Sequence, residues 1–156
     1  MKSFFETADN IKKVIKPWGH ELWIASNLNN KTYAMKEIFI KTGFKTSFQF
    51  HEHKEECNYI ISGKGNLLLS ENKIDINKFK NNLYTSQNLK EFINNLKTYE
   101  LSKGSVFHIQ PLYIHSVISS DNLIMIESSS LHLDDVYRIL DEHGRGHGRI
   151  ESEHSN

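Results

Sequence analysis

Cysteine, proline and net charge are all scarce in this chain. A single cysteine, Cys57, excludes an intramolecular disulfide, so packing and hydrogen bonding must hold the fold. Two prolines and eight glycines, with no repeat, exclude collagen-like and low-complexity classes. Lys and Arg total 19, as do Asp and Glu, and that balance argues against nucleic acid or an anionic membrane as partner. No apolar run approaches the ~20 residues of a membrane span. The N-terminal MKSFFETADNIKKVIKPWG carries charge where a signal peptide has its apolar stretch. The expectation is a cytoplasmic protein. Its 156 residues suit one domain over 1–156, with an apolar share of 38% that fits a globular rather than a disordered chain.

What the chain does contain is short alternating segments. In TYAMKEIFI (Thr32–Ile40), Ala34, Lys36, Ile38 and Ile40 share one side, and Tyr33, Met35, Glu37 and Phe39 the other. KTSFQF, NYIIS, GNLLLS, SVFHI, HSVISS and NLIMIES are further strand-length runs bounded by Gly, Ser, Asn or Asp. Many short strands without intervening βαβ helices indicate an all-β sandwich or barrel. The stretch from about 71 to 101 is Asn- and Lys-rich and reads as an insertion. Within it, Leu89, Phe92, Ile93 and Leu96 have helical spacing, with Ser86 as a candidate N-cap. LDDVYRIL near the C-terminus is also amphipathic in the helical sense, and a polar tail follows at about 150–156.

Nine histidines are present, and their placement matters more than their number. In SFQFHEHKEE, strand parity projects Gln49, His51 and His53 to one face, and a turn at Lys54–Glu55 returns Glu56 beside them. By itself HxH is as ordinary as two surface histidines at a turn. Glu56 after the turn, Gly63 beyond it, and His115 after the Pro111 turn convert the fragment into a candidate ligand set. Two imidazoles and a carboxylate, with His115 as the fourth donor, suit a divalent ion: Zn, Mn, Fe, Ni or Co. His108 reads instead as a strand histidine. Cys57 reads as a small buried hydrophobe facing away from Glu56.

These residues resemble the two-part signature of the cupin superfamily, G-x(5)-H-x-H-x(3–4)-E-x(6)-G and G-x(5)-P-x-G-x(2)-H-x(3)-N. His51, His53, Glu56, Gly63, Gly104 and His115 match. The departures are seven residues between Gly43 and His51, two between His53 and Glu56, Pro111 displaced by one, Leu112 at the usual Gly and Ser119 at the usual Asn. The resemblance implies a double-stranded β-helix (a jelly-roll barrel) holding a metal on His51, His53, Glu56 and His115, here with a short helical insertion and a C-terminal helix or loop. Within the superfamily, SFQFHEHKEECNYIISGKG is similar to the Q-x-H-x-H-[RK]-x-E-H-W-x-x-x-S-G segment of type II phosphomannose isomerases. IKPWGHELW and LDDVYRILDEHGR resemble two further blocks of that family, in the same order. Cys57 and Asn58 depart from the family's His and Trp.

That resemblance implies a metal-dependent enzyme acting on a sugar phosphate or nucleotide-linked sugar, with isomerisation of mannose 6-phosphate as the leading reaction. It places Arg138 and Arg145 near the substrate phosphate, although Arg138 equally reads as a surface partner of Asp134 and Arg145 as a loop charge. Lys16 and Gln49 become substrate contacts, and Glu55 and Glu21 are the carboxylates available as a base. A non-catalytic metal- or sugar-binding cupin of polysaccharide metabolism, and an iron-dependent oxygenase or lyase, are the alternatives. Edge strands and the resemblance together lead one to expect a homodimer.

Overall fold

The computed structural model describes residues 3, 5–29, 31–140 and, for the backbone alone, 148–149. Its elements run β1 (Lys12–Lys16), β2 (Gly19–Ala25), β3 (Ala34–Ile40), β4 (Phe48–Phe50), β5 (Glu56–Lys73), α1 (Ile76–Lys80) and α2 (Ser86–Asn94). Then follow β6 (Lys97–Ser102), β7 (Val106–Ile109), β8 (Tyr113–Ser129), β9 (Tyr137–Leu140) and β10 (Gly148–Arg149). No described helix is long and apolar enough to cross a membrane.

Four of the expected runs merge. NYIIS and GNLLLS form a single strand of 18 residues, β5, while HSVISS and NLIMIES form one of 17, β8. The two pair antiparallel along most of their length, and the register shifts between Ile60 and Gly65, where both turn a corner. Gly63 makes that corner possible. It adopts φ +85°, and a Cβ there would lie 2.2 Å from the Asn122 carbonyl oxygen and 2.3 Å from that of Asp121.

Beyond the corner each half of β5 and β8 joins a different layer. The first layer runs β1-β2-β3-β8-β5-β7 through Leu123–Ser129 and Glu56–Ser62. The second runs β6-β5-β8-β4-β9-β10 through the other halves. Between them lies an apolar cluster that includes Trp18, Ile38, Ile60, Leu67, Val117 and Met125. This is the all-β architecture expected from the strand pattern, in the jelly-roll form that the resemblance implies.

The two helices cover the outside of the second layer. Leu89, Phe92, Ile93 and Leu96 of the α2 region, with Phe79 of α1, pack on Phe50, Ile114, Tyr137 and Ile139. The insertion therefore holds two helices rather than one. The N-cap of α2 is Thr85, one residue before Ser86, in a capping box with Asn88. The expected C-terminal helix is a strand instead. β9 pairs with β4 through Phe48↔Leu140, Gln49↔Arg138 and Phe50↔Tyr137, satisfying backbone groups that the edge of β4 would otherwise leave unpaired. Local helical spacing yields to that pairing.

Candidate metal centre

His51 follows directly on β4, Glu56 opens β5, and His115 lies in β8, so three elements meet at one point inside the barrel. Cross-strand register explains the convergence: Gln49 lies opposite His115, and Glu56 opposite Ser129 and Ile109. His51, Glu56 and His115 are all buried, and one donor atom from each falls within 4.8 Å of the others. The two imidazole rings are 5.1 Å apart between centroids.

Both rings are oriented by main-chain carbonyls. His51 Nδ1 donates to the Asp135 carbonyl oxygen, and His115 Nδ1 donates to that of Tyr113 at 3.0 Å. A carbonyl can only accept, so each Nδ1 carries a proton, and in the neutral form of each ring Nε2 presents a lone pair. His51 Nε2 lies 3.0 Å from Glu56 Oε1, yet it is buried and has no hydrogen-bond partner. With His51 neutral, its Nε2 and Glu56 Oε1 are two donor atoms that a shared cation would bridge. Imidazoles fixed through Nδ1 to carbonyl oxygens are also the usual support of a metal-ligating histidine. The donor set fits a divalent ion.

His53 does not join. Its side chain is 65% exposed, with Glu52 at 3.8 Å and the His132 ring at 5.9 Å. Parity fails here because of Asp135. Its carboxylate accepts the backbone N–H groups of Glu52 (3.0 Å), His53 (2.6 Å) and Lys54 (2.8 Å), so the strand ends at Phe50 and the chain turns earlier than expected. The turn sends His53 outward and Lys54 inward. These three hydrogen bonds hold the Asp135 carboxyl below its usual range, against the opposing effect of burial.

Lys54 is the residue that sequence reasoning overlooked. Its Nζ donates to Glu56 Oε1 at 2.5 Å and to Glu127 Oε1 at 2.8 Å, all three groups being buried. Burial alone would lower the ammonium; Glu127 first, then Glu56, reverse this and raise it. Burial would likewise raise the Glu56 carboxyl, and the Lys54 ammonium and His51 bring it well below the ordinary range. The His115 imidazole is lowered to about 4, by burial and then by the charge of His51. A sequence signal for part of this network existed. Lys36 and Glu127 occupy the otherwise apolar parity faces of β3 and β8 and stand opposite each other in register.

The remaining expected site residues fall in different places. Gln49 lines the cavity, where Ser47 Oγ donates to its Oε1 at 2.7 Å. Arg138 is buried on β9, in the cross-strand row of Gln49 and His115, and borders the groove under the helices rather than the cavity. It belongs to a strand, not to an exposed helix face. Lys16 is buried and sits 3.9 Å from Glu21, which also accepts from Lys36 Nζ and Trp23 Nε1 at 3.0 Å each. Trp18 lines the cavity as part of the core. Glu55 accepts from Gln110 at the surface, 2.6 Å away. Cys57 does face away from Glu56, but it is half-exposed rather than buried, with His108 Nε2 3.9 Å from its Sγ. Arg145 and the tail at 150–156 lie outside the described residues.

Leu112, standing where the superfamily pattern has glycine, still adopts φ 73°. Such a backbone costs a non-glycine residue roughly 1–2 kcal/mol. It is held there because its N–H donates to the His51 carbonyl at 2.7 Å, its carbonyl accepts from Ile74, and its side chain packs beside Ile114.

A curled pair of antiparallel layers, with a histidine–glutamate cluster between them, defines a cupin. The chain belongs to the family described as mannose-6-phosphate isomerase C-terminal, which matches residues 5–141. Comparison with curated proteins gives no match. Among solved structures it is similar to the capsular polysaccharide assembling protein CapF from Staphylococcus aureus (TM-score 0.59, 16% identity, 82% of this chain and 34% of that one). It is similar to oxalate decarboxylase from Lactobacillus farciminis (0.61, 16%, 83% and 34%). A third likeness is Bacillus subtilis oxalate decarboxylase, in a structure describing its Mn(II) centres (0.54, 18%, 75% and 27%). At these identities the shared property is the fold, and this chain spans about a third or less of each of those proteins.

Proposed function

We propose that this chain is a metal-dependent cupin acting on a sugar phosphate, with aldose–ketose isomerisation of mannose 6-phosphate as its reaction. The observation that carries this reading is the convergence of His51 Nε2, His115 and the Glu56 carboxylate at one buried point, in a chain matched by that family over residues 5–141. A divalent ion held there would polarise the sugar carbonyl and favour the enediolate formed as a proton moves between C1 and C2. Gln49, fixed through its carbonyl oxygen, offers its amide N–H groups to a sugar hydroxyl. The resemblance places Arg138 near the phosphate; its guanidinium has the fork geometry for one, and it is buried on β9 beside the groove under the helices. The cavity is only about 60 Å³, so the reacting end of the sugar enters it and the phosphate stays outside.

A second reading, a non-catalytic metal- or sugar-binding cupin of polysaccharide metabolism, draws on the same interior. The buried charges among the described residues balance: Lys16, Lys36, Lys54 and Arg138 against Glu21, Glu56, Glu127 and Asp135. The Lys54 ammonium sits on Glu56 Oε1, the oxygen nearest His51 Nε2, and so competes for the carboxylate with an incoming divalent ion.

The deciding experiment incubates the protein with mannose 6-phosphate after loading with Zn, Mn, Fe, Ni or Co in turn. Formation of fructose 6-phosphate supports isomerisation. Metal binding without conversion by any ion overturns it in favour of the second reading.

A further inference from the structure

Among the described residues, two buried side-chain atoms of the cavity lining have no hydrogen-bond partner. One is His51 Nε2, a candidate metal donor, and the other is Asn58 Oδ1. Asn58 is 1% exposed. It shares the inward parity face of β5 with Glu56 and Ile60, and register sets it between Glu127 of β8 and Phe107 of β7. Its Nδ2 lies 3.5 Å from Glu56 Oε2, the carboxylate oxygen other than the one nearest His51 Nε2. That contact decides which way the amide is turned. Reversed, it would set Oδ1 against a carboxylate oxygen, acceptor to acceptor. The carbonyl oxygen is thus fixed at the cavity wall beside a candidate metal ligand, and a buried acceptor without a donor is costly to a fold. Costs of this kind concentrate where a ligand binds.

We infer that Asn58 is a specificity-determining residue: its Oδ1 accepts a hydrogen bond from a ligand hydroxyl next to the oxygen that the ion holds, so the cavity selects α-hydroxy carbonyl groups over their deoxy counterparts. The inference rests on the metal-dependent reading of the same cavity and adds what the ligand must present. The hydroxyl must be adjacent to the metal-held oxygen because the Asn58 amide adjoins Glu56 itself. A cavity of about 60 Å³ admits a group of that size. The phosphomannose isomerase segment that this stretch resembles has Trp where Asn58 stands. An indole N–H can only donate, so asparagine brings an acceptor to a position where the family's residue has none. A site built around a hydroxyl rejects the analogue that lacks it, because the buried polar group then stays unpaired.

Glycolate and acetate differ by that hydroxyl alone. Calorimetric titration compares their affinities for the full chain, metal-free and loaded with Zn or Mn, in the wild type, Asn58→Leu and Asn58→Ala. The wild type is expected to favour glycolate, and the ratio of the two affinities is expected to fall at least tenfold in both variants, with acetate binding little changed. Without ligand, Asn58→Leu is expected to melt at or above the wild-type temperature, since it removes an unpaired acceptor; a purely structural asparagine would give a lower one. If Asn58→Leu fails to fold, Asn58→Ala, which only deletes atoms, carries the same test. A wild type that binds neither acid or shows no preference, or folded variants that keep the wild-type ratio, overturns the inference. A protein that forms no fructose 6-phosphate yet shows this Asn58-dependent preference refutes isomerisation alone.

Discussion

Lys54 and Glu56 are two residues apart in sequence, and their side chains meet inside the barrel, Nζ to Oε1, at 2.5 Å. Residues two apart in a strand would both point inward by parity, but Lys54 precedes β5 and reaches the interior because Asp135 bends the preceding turn. The ammonium thereby neutralises the carboxylate that a metal would use.

Removing that ammonium leaves Glu56 and Glu127 buried without their cation. Lys54→Met is expected to lose about 3–5 kcal/mol in chemical denaturation without added metal. Part of the loss should return on adding a divalent ion, so the variant's metal-induced rise in melting temperature should exceed that of the wild type.

The inward and outward histidines make a direct comparison. His51→Ala and His115→Ala should each weaken metal binding by more than ~100-fold, beyond what losing an outer-shell partner costs. His53→Ala should bind as the wild type does. Calorimetric titration of the three proteins decides between the buried trio and a four-residue set that includes His53.

The depressed His115 value, about 4 against an ordinary 6.5, predicts a pH dependence in the metal-free protein. Between those values the unfolded chain takes up a proton that the folded chain refuses, so stability falls as pH drops through this window and levels off below it. The full span is on the order of 3 kcal/mol. His115→Gln should flatten that slope in urea denaturation measured from pH 7 to pH 4.

Asp135 supplies the opposite sign. Its folded-state carboxyl is depressed, so its stabilisation is present above the ordinary aspartate value of about 4 and lost as pH falls below it. Asp135→Asn should cost about 2–4 kcal/mol near neutrality, since charge-assisted hydrogen bonds to three backbone N–H groups are weakened. The gap between wild type and variant should close in acid.

Much of the fold was legible because alternation is a local property. The faces of Thr32–Ile40 followed from parity alone, and the apolar residues of α2 from their helical spacing. The merging of four runs into β5 and β8 was not legible, since it depends on Gly63 meeting Asp121 and Asn122 from a distant part of the chain. Neither was β9, whose residues have helical spacing and take strand form only because β4 offers an edge.

The chain by itself determined that His51, Glu56 and His115 could act together, because their spacings to the turn glycines and Pro111 are covalent facts. Only the tertiary structure decided that His53 would be excluded and Lys54 admitted. A carboxylate 82 residues away along the chain captures the backbone of the turn, and no local pattern records it. The sign of the buried charge at this site is therefore set by a long-range contact, and side-chain parity is overruled wherever such a contact bends the strand.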